Sequence, residues 1–365
     1  MDAADIARHR LVNLRITGHA GTTPAEVVAA LGAIQAQDFV AGKWAIGLRL
    51  PGSTEADIER ALDDGAIVRT WPMRGTLHFV AAADVRWLLR LLAPRVIAGS
   101  AGRLRALEID DAVLARSRTV MTRALEGGQR LTRNDLYRRL DEAGISTAGQ
   151  RGYHLLWLAA HEGLICFGPL AGKQQAVVLV DEWLPPDGDE TRPPREEALA
   201  RLAGRYVTSH GPATLADFAR WGGLTVSDAR LGLHGAAGTL ARETIDGQDF
   251  WLPRDAPASP AASPRVDLLP SFDEYLVGYK ERGAVLDAAH RQRVIPGSNG
   301  MFLPALVVDG RVVGTWKRVP VKGGVRVVAT PFAPLDAAAV RGFEAAASRY
   351  GAYLGLPVEA VMLDA

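Results

Sequence analysis

One pattern recurs three times along this chain and restricts its fold more than any other feature: a helix, two shorter helices joined by a turn, then a pair of strands. The middle copy is the most regular. Residues 112–126 read as a helix with Val113, Leu114, Val120, Met121 and Leu125 at the apolar positions, stopped by Gly127-Gly128. Thr132 is placed to cap a second helix, with Leu136 and Leu140 facing inward and Gly144 past its end. A third helix over 148–163 carries Tyr153, Leu155, Leu156, Leu158 and Ala159. The strands Leu164-Ile165-Cys166-Phe167 and 176–180 complete the copy. Three helices followed by a two-stranded wing is the winged-helix variant of the helix-turn-helix.

The third copy places helices over 195–209, 214–221 and 225–233, and strands over 239–245 and 249–252 around the hairpin signal Asp246-Gly247. The first copy is less regular. Its helices fall near 3–16 and 23–34, with a third after Asp38, and its strands near 67–73 and 75–80; an arginine-rich helical segment follows at 83–107. Two linkers punctuate the chain, one at Pro185, Pro186, Pro193 and Pro194, the other at Pro257, Pro260 and Pro264. Beyond the second, the segments 266–269, 301–308, 311–319 and 325–330 alternate with tight turns and predict a small antiparallel sheet or barrel, closed by a helix at 335–350. The expected protein is α+β. Winged-helix unit 1 with its arginine-rich extension spans 1–110, unit 2 spans 111–184 and unit 3 spans 194–254; a β-barrel-like module with a C-terminal helix spans 265–365. A length of 365 residues requires more than one core.

A winged helix suggests DNA, but fold does not fix function. Forty-two basic and forty-one acidic side chains leave a net charge of +1, so a polyanion would have to meet a local patch. Such a patch exists. Residues 85–107 hold Arg86, Arg90, Arg95, Arg103 and Arg105 and no acid, and residues 69–151 hold fifteen arginines against eight acids. Arg86 and Arg90 are four apart and share a helical face that could follow phosphates; the bland reading is a solvated face over Trp87, Leu88, Leu91 and Leu92. The single cysteine, Cys166, excludes an internal disulfide and a multi-cysteine zinc site, and the eight histidines show no ligand spacing. No metal and no cofactor are expected. The start of the chain has no signal-like apolar run, and no stretch approaches 18 uncharged apolar residues, so the expected location is the cytoplasm, on the nucleoid, with no membrane partner.

The sharper feature is Ile34-Gln35-Ala36-Gln37-Asp38. The helix before it opens with Thr23-Pro24-Ala25-Glu26, a capping box with proline at the first turn. If that helix ran through Gln37, the two glutamines would lie about 200° apart. If it ends near Ile34, an extended Gln-Ala-Gln turns both amides to one side, and Asp38 caps the next helix. Other candidates are Arg74 and His78, four residues apart, and Arg311, Lys317 and Arg318 on a hairpin that could probe a groove. Lys43 lies nearest the glutamines among only five lysines. Asp273 and Glu274 fit either a general base or a packed turn.

Several blocks together resemble the winged-helix DNA glycosylases of the azinomycin-resistance (AlkZ-like) family. They are Ala33-Ile34-Gln35-Ala36-Gln37-Asp38, Thr70-Trp71-Pro72-Met73-Arg74-Gly75-Thr76-Leu77-His78, Leu268-Leu269-Pro270-Ser271-Phe272-Asp273-Glu274-Tyr275-Leu276 and Gly314-Thr315-Trp316-Lys317. The resemblance implies three tandem winged helices and a β-barrel in a C-shaped DNA-binding architecture. It also implies excision of bulky N7-alkylated purines, including interstrand crosslinks, from duplex DNA. The family's Gln-apolar-Gln signature falls on Gln35 and Gln37, which makes them, with Asp38 beside them, the expected catalytic residues. Ala36 is smaller than the residue usual between them, and a related branch carries Asp in place of the second Gln. DNA contacts are expected at Lys43, Arg74, His78, Arg86, Arg90, Arg95, Arg103, Arg311, Lys317 and Arg318. Three units in one chain can follow a duplex as a monomer, whereas a non-catalytic regulator would often dimerise on a palindrome; a protein-binding scaffold would show no salt-dependent DNA affinity.

Overall fold

The computed structural model describes residues 1–18, 21–172, 174–184, 186, 193–256, 265–297 and 300–364. Pro185, Pro257, Pro260 and Pro264 of the two expected linkers lie outside the described residues. The chain forms two compact units. One joins Met1–Ile58 to Leu199–Ala365, and the other is Glu59–Ala198.

The first unit opens with α1 (Ala3–Asn13), α2 (Pro24–Leu31), the two-residue strand β1 (Ile34–Gln35) and α3 (Phe39–Leu48). Asp2 and Asp5 form a reciprocal capping box at the start of α1. Helix α4 (Glu55–Asp63), absent from the sequence expectation, carries the chain to the second unit. There β2 (Ile67–Met73) and β3 (Thr76–Ala81) form a hairpin. Its two turn residues, Arg74 and Gly75, both have left-handed backbone (φ 55° and 69°), the geometry that matches the twist of paired strands. Next come α5 (Val85–Gly99), α6 (Ala101–Ala106), α7 (Asp111–Leu125), β4 (Leu131–Thr132), α8 (Arg133–Glu142), α9 (Arg151–His161), β5 (Ile165–Ala171), β6 (Gln174–Leu179) and α10 (Val180–Trp183).

Strands of this unit run in the order β3-β2-β5-β6-β4, so the hairpins of the first and middle copies share one sheet, with Arg69 opposite Phe167. Pairing covers edges that two separate wings would leave open. Trp71 and Leu77 from the first hairpin pack in one cluster with Met121 and Leu125 of α7, Leu136 and Leu140 of α8, and Leu155 and Leu156 of α9. Each fully buried leucine of that kind contributes roughly 1.5–3 kcal/mol.

The chain returns to the first unit along α11 (Arg195–His210), followed by α12 (Leu215–Gly222), α13 (Val226–Gly235) and the hairpin β7 (Leu240–Ile245)–β8 (Gln248–Pro253). Asp246 and Gly247 turn that hairpin with φ of 49° and 77°, as their sequence signals. The last part contains β9 (Val266–Leu269), α14 (Glu274–Val277), α15 (Arg291–Val294), β10 (Ala305–Val308), β11 (Arg311–Val321), β12 (Gly324–Pro331), α16 (Ala337–Leu354) and β13 (Val358–Met362).

Here the expectation of an antiparallel barrel needs correction. The sheet runs β13-β12-β11-β10-β9 and is open, and β13 pairs with β12 in parallel. The cause is α16: its 18 residues bring the chain back to the end where β12 began, and a crossover of that kind delivers a parallel strand. The same helix covers the sheet instead of closing it. Phe343, Ala346, Ala347 and Tyr350 are buried, and Gly342 lies so close to Val266 that an added Cβ would stand 2.5 Å from its Cγ2. Among the described residues, no helix is long and apolar enough to cross a membrane.

Candidate active site

The glutamine segment takes its shape from the helix stops on either side. Thr23 caps α2 through the Glu26 amide, and the helix ends at Gly32, whose φ of 81° is open to glycine and strained for other residues. A Cβ there would also press on the Trp221 ring at 3.3 Å. Beyond Gly32 only Ile34 and Gln35 form a strand, the chain bends at Gln37 and Asp38, and Asp38 starts α3 by accepting the Val40 and Ala41 amides at 3.1 Å each. The continuous-helix alternative is therefore excluded. An unbroken extended segment would turn both amides to one side; the bend at Gln37 interrupts it, and the two glutamines differ in exposure. Ala36 is fully buried, Gln37 is exposed and Gln35 is 9% exposed.

The elements around the motif hold it through buried polar contacts. Glu274, at the start of α14, is wholly buried; its Oε1 accepts the Gln35 amide at 3.0 Å and its Oε2 accepts the Trp221 indole N–H at 3.0 Å. His210 Nε2 stands 3.4 Å from the same Oε2, and burial pushes that imidazole below its ordinary range. Neighbouring Asp273 caps α14 through the Tyr275 amide and takes both arms of Arg49 at 2.8 Å, with both charged side chains fully buried. Removing one partner from such a pair typically costs about 3–5 kcal/mol. Of the two sequence alternatives for Asp273 and Glu274, a packed turn is what forms. Their partners Arg49, His210 and Trp221 gave no sequence signal, because the contacts join segments between 53 and 224 residues apart.

Asp38 Oδ2 lies 3.3 Å from the Ser271 hydroxyl. Lys43, one turn into α3, is only 4% exposed, and its ammonium is 2.8 Å from Glu55 Oε1 and over the Phe39 ring. Arg311 donates to the Gly283 and Ala284 carbonyls, which engages its guanidinium within the protein. Lys317 and Arg318 are exposed on β11.

The remaining expected contacts belong to the second unit. Arg74 and His78 are brought together, with guanidinium and Nε2 3.2 Å apart, and His78 is fully buried with Nδ1 2.8 Å from the Thr76 carbonyl. Arg86 is held by the Asp181 carboxylate at 3.0 Å and by the Val180 carbonyl at 3.3 Å. Arg90 and Arg95 are exposed on α5, and Arg90 borders two open depressions of about 470 and 480 Å³. Arg103, exposed on α6, bonds Gln150. Cys166 is buried in β5, which pushes its thiol up to about 12 and leaves it inert as a nucleophile. No group of three metal-ligating side chains occurs among the described residues.

The chain is 28% identical over 354 residues to the interstrand DNA cross-link repair glycosylase of Streptomyces sahachiroi, covering 92% of this chain and 93% of that protein. The fold is similar to the solved Streptomyces sahachiroi DNA glycosylase AlkZ, with a TM-score of 0.83 and 24% identity across 99% of this chain and 100% of that one. Residues 28–353 match the model of the family described as DNA glycosylase AlkZ-like, and the chain belongs to that family.

Proposed function

We propose that the protein is a monofunctional DNA glycosylase that hydrolyses the N-glycosidic bond of bulky N7-alkylated purines in duplex DNA. The carrying observation is the non-helical Gln35-Ala36-Gln37 segment between α2 and α3, with Gln37 exposed beside a buried Ala36, in a chain of this family. The Streptomyces sahachiroi relative is a cross-link repair glycosylase, and we extend the proposed substrates to interstrand crosslinks on that basis.

The chemistry suits neutral side chains. Alkylation at N7 makes guanine cationic and already a good leaving group, so no strong general acid is required. What remains is to position a water and to stabilise an oxocarbenium-like sugar, the problem that glycoside hydrolases also face. A glutamine carbonyl orients the water and faces the developing positive charge. In this reading Gln37 holds the water, Gln35 assists it, and Asp38 serves as a helix cap. The reaction requires neither metal nor cofactor.

For DNA binding, α7–α9 with β5–β6, and α11–α13 with β7–β8, act as winged helices. Arg90, Arg95, Arg103, Lys317 and Arg318 are the proposed phosphate contacts, since their side chains are exposed. Lys43 and Arg311 are assigned structural roles instead, because both charges are engaged inside the protein. Arg74 and His78 act as one coupled pair. The protein works as a monomer on DNA in the cytoplasm. Incubation of the purified protein with an N7-alkylguanine duplex tests the proposal: free alkylbase should appear faster than in the protein-free control. Tight duplex binding without base release from any alkylated substrate would instead favour a non-catalytic regulator.

A further inference from the structure

We infer that Ser271 and Glu274 are positioning residues, and that the turn carrying them grips the glutamine motif at both ends. The inference rests on the reading of Gln35 and Gln37 as catalytic. Glu274 is fully buried and so has no route to DNA, but its Oε1 accepts the backbone N–H of Gln35, the first motif residue. At the other end, the Ser271 hydroxyl reaches the carboxylate of Asp38, directly after Gln37. Only Ala36 and Gln37 lie between the two anchored points.

The grip is itself held rigid. Glu274 Oε2 is tied to the Trp221 indole, with His210 alongside; a carboxylate that takes several N–H donors has one orientation available. Between Ser271 and Glu274, Phe272 sits in left-handed backbone at φ 59°, a conformation kept only where the surroundings dictate it. Asp273 clamps Arg49, which follows the last residue of α3 and also donates to the Ala45 and Leu14 carbonyls. Trp44, in the middle of α3, donates its indole N–H to the Leu268 carbonyl. Segment 268–274 thus touches α3 at its cap, its middle and its end, and α3 begins where the motif stops. This assigns a task to the Leu268-Leu269-Pro270-Ser271-Phe272-Asp273-Glu274 block that needs no contact with substrate.

The test compares Glu274→Met, Glu274→Gln and Ser271→Ala, each alone and with Gln37→Ala. Thermal melting, affinity for a lesion duplex and single-turnover base release are read separately. Misplacement of a reacting group by about 1 Å can cost 10²-fold, so Glu274→Met should slow release by roughly 10- to 100-fold with lesion affinity unchanged. Glu274→Gln keeps one acceptor oxygen, enough for the Gln35 N–H or the Trp221 indole but not both, and should recover only part of that deficit. Ser271→Ala, at a half-buried hydroxyl, should slow release about threefold, the size expected from removing one modest hydrogen bond. Since these residues act through the motif, Glu274→Met should add nothing once Gln37 is alanine. The inference is overturned by a folded Glu274→Met protein that releases base at the wild-type rate, or by a full additional loss in the Gln37→Ala background. If Glu274→Met does not fold, wild-type release by Ser271→Ala overturns the two-ended grip. Wild-type release by Gln37→Ala alone is a different failure, and removes the catalytic reading of the motif itself.

Discussion

Asp38 and His161 show how far a single residue's type constrains its task. Asp38 is a carboxylate next to Gln37, which would suit a general base, yet its Oδ1 is occupied by two amides of α3. Loss of an N-cap typically costs about 1 kcal/mol, so Asp38→Ala should lower unfolding free energy in urea by that order while Asp38→Asn leaves it nearly unchanged. Asp38→Asn should also release base within a few-fold of wild type; a loss of about 100-fold would mark the carboxylate as catalytic. His161 lies on α9 with Nδ1 2.8 Å from the Trp157 carbonyl, and burial pushes its pKa down to about 4. The unfolded chain therefore binds the proton first as pH falls from 6.5 towards 4, and stability declines through that window before levelling off below it. At 1.36 kcal/mol per unit, His161 should account for about 2 kcal/mol of lost stability between pH 7 and pH 5. His161→Gln should be less pH-sensitive by that amount; equal slopes in both proteins would show that His161 keeps its proton when folded.

At the scale of elements, the sequence was informative wherever local chemistry decides. Thr132, Thr214 and Thr225 cap the helices they precede, and Gly223 and Gly355 take left-handed backbone past helix ends. The expected helices at 195–209, 214–221 and 225–233 lie within a residue or two of α11, α12 and α13. Pairings set by distant partners were not legible. Nothing local announces that β2 and β5 join, that β13 runs parallel, or that Glu274 meets Gln35. Charge runs were legible as composition but not as surface: of the arginines at 86, 90 and 95, only Arg90 and Arg95 are exposed. Each phosphate that a protein ceases to neutralise flattens the dependence of log K on log salt by about 0.9, so Arg90→Ala with Arg95→Ala should reduce the slope by up to about 1.8. Arg86→Ala should change it little, because the Asp181 carboxylate already holds that guanidinium. An unchanged slope in the double variant would show that α5 faces away from the duplex.

For the whole molecule, a net charge of +1 leaves DNA affinity to local surfaces, and only five lysines leave few amines for Schiff-base chemistry. Lys43, nearest the motif in sequence, is buried against Glu55. Borohydride should therefore trap no protein–DNA adduct, and the product should be an intact strand with an abasic site; a trapped adduct that disappears in Lys43→Ala would make the enzyme a lyase. The central claim is that two neutral amides on the segment between α2 and α3 carry the hydrolysis. Its most direct measurement is single-turnover base release from a site-specific N7-alkylguanine duplex by wild type and Gln37→Ala, corrected for spontaneous depurination, with affinity for the same duplex measured separately. Removal of one preorganised polar group typically costs about 10²–10³ in rate, and we predict a fall of that size with affinity retained. Base release by Gln37→Ala at the wild-type rate would contradict the account.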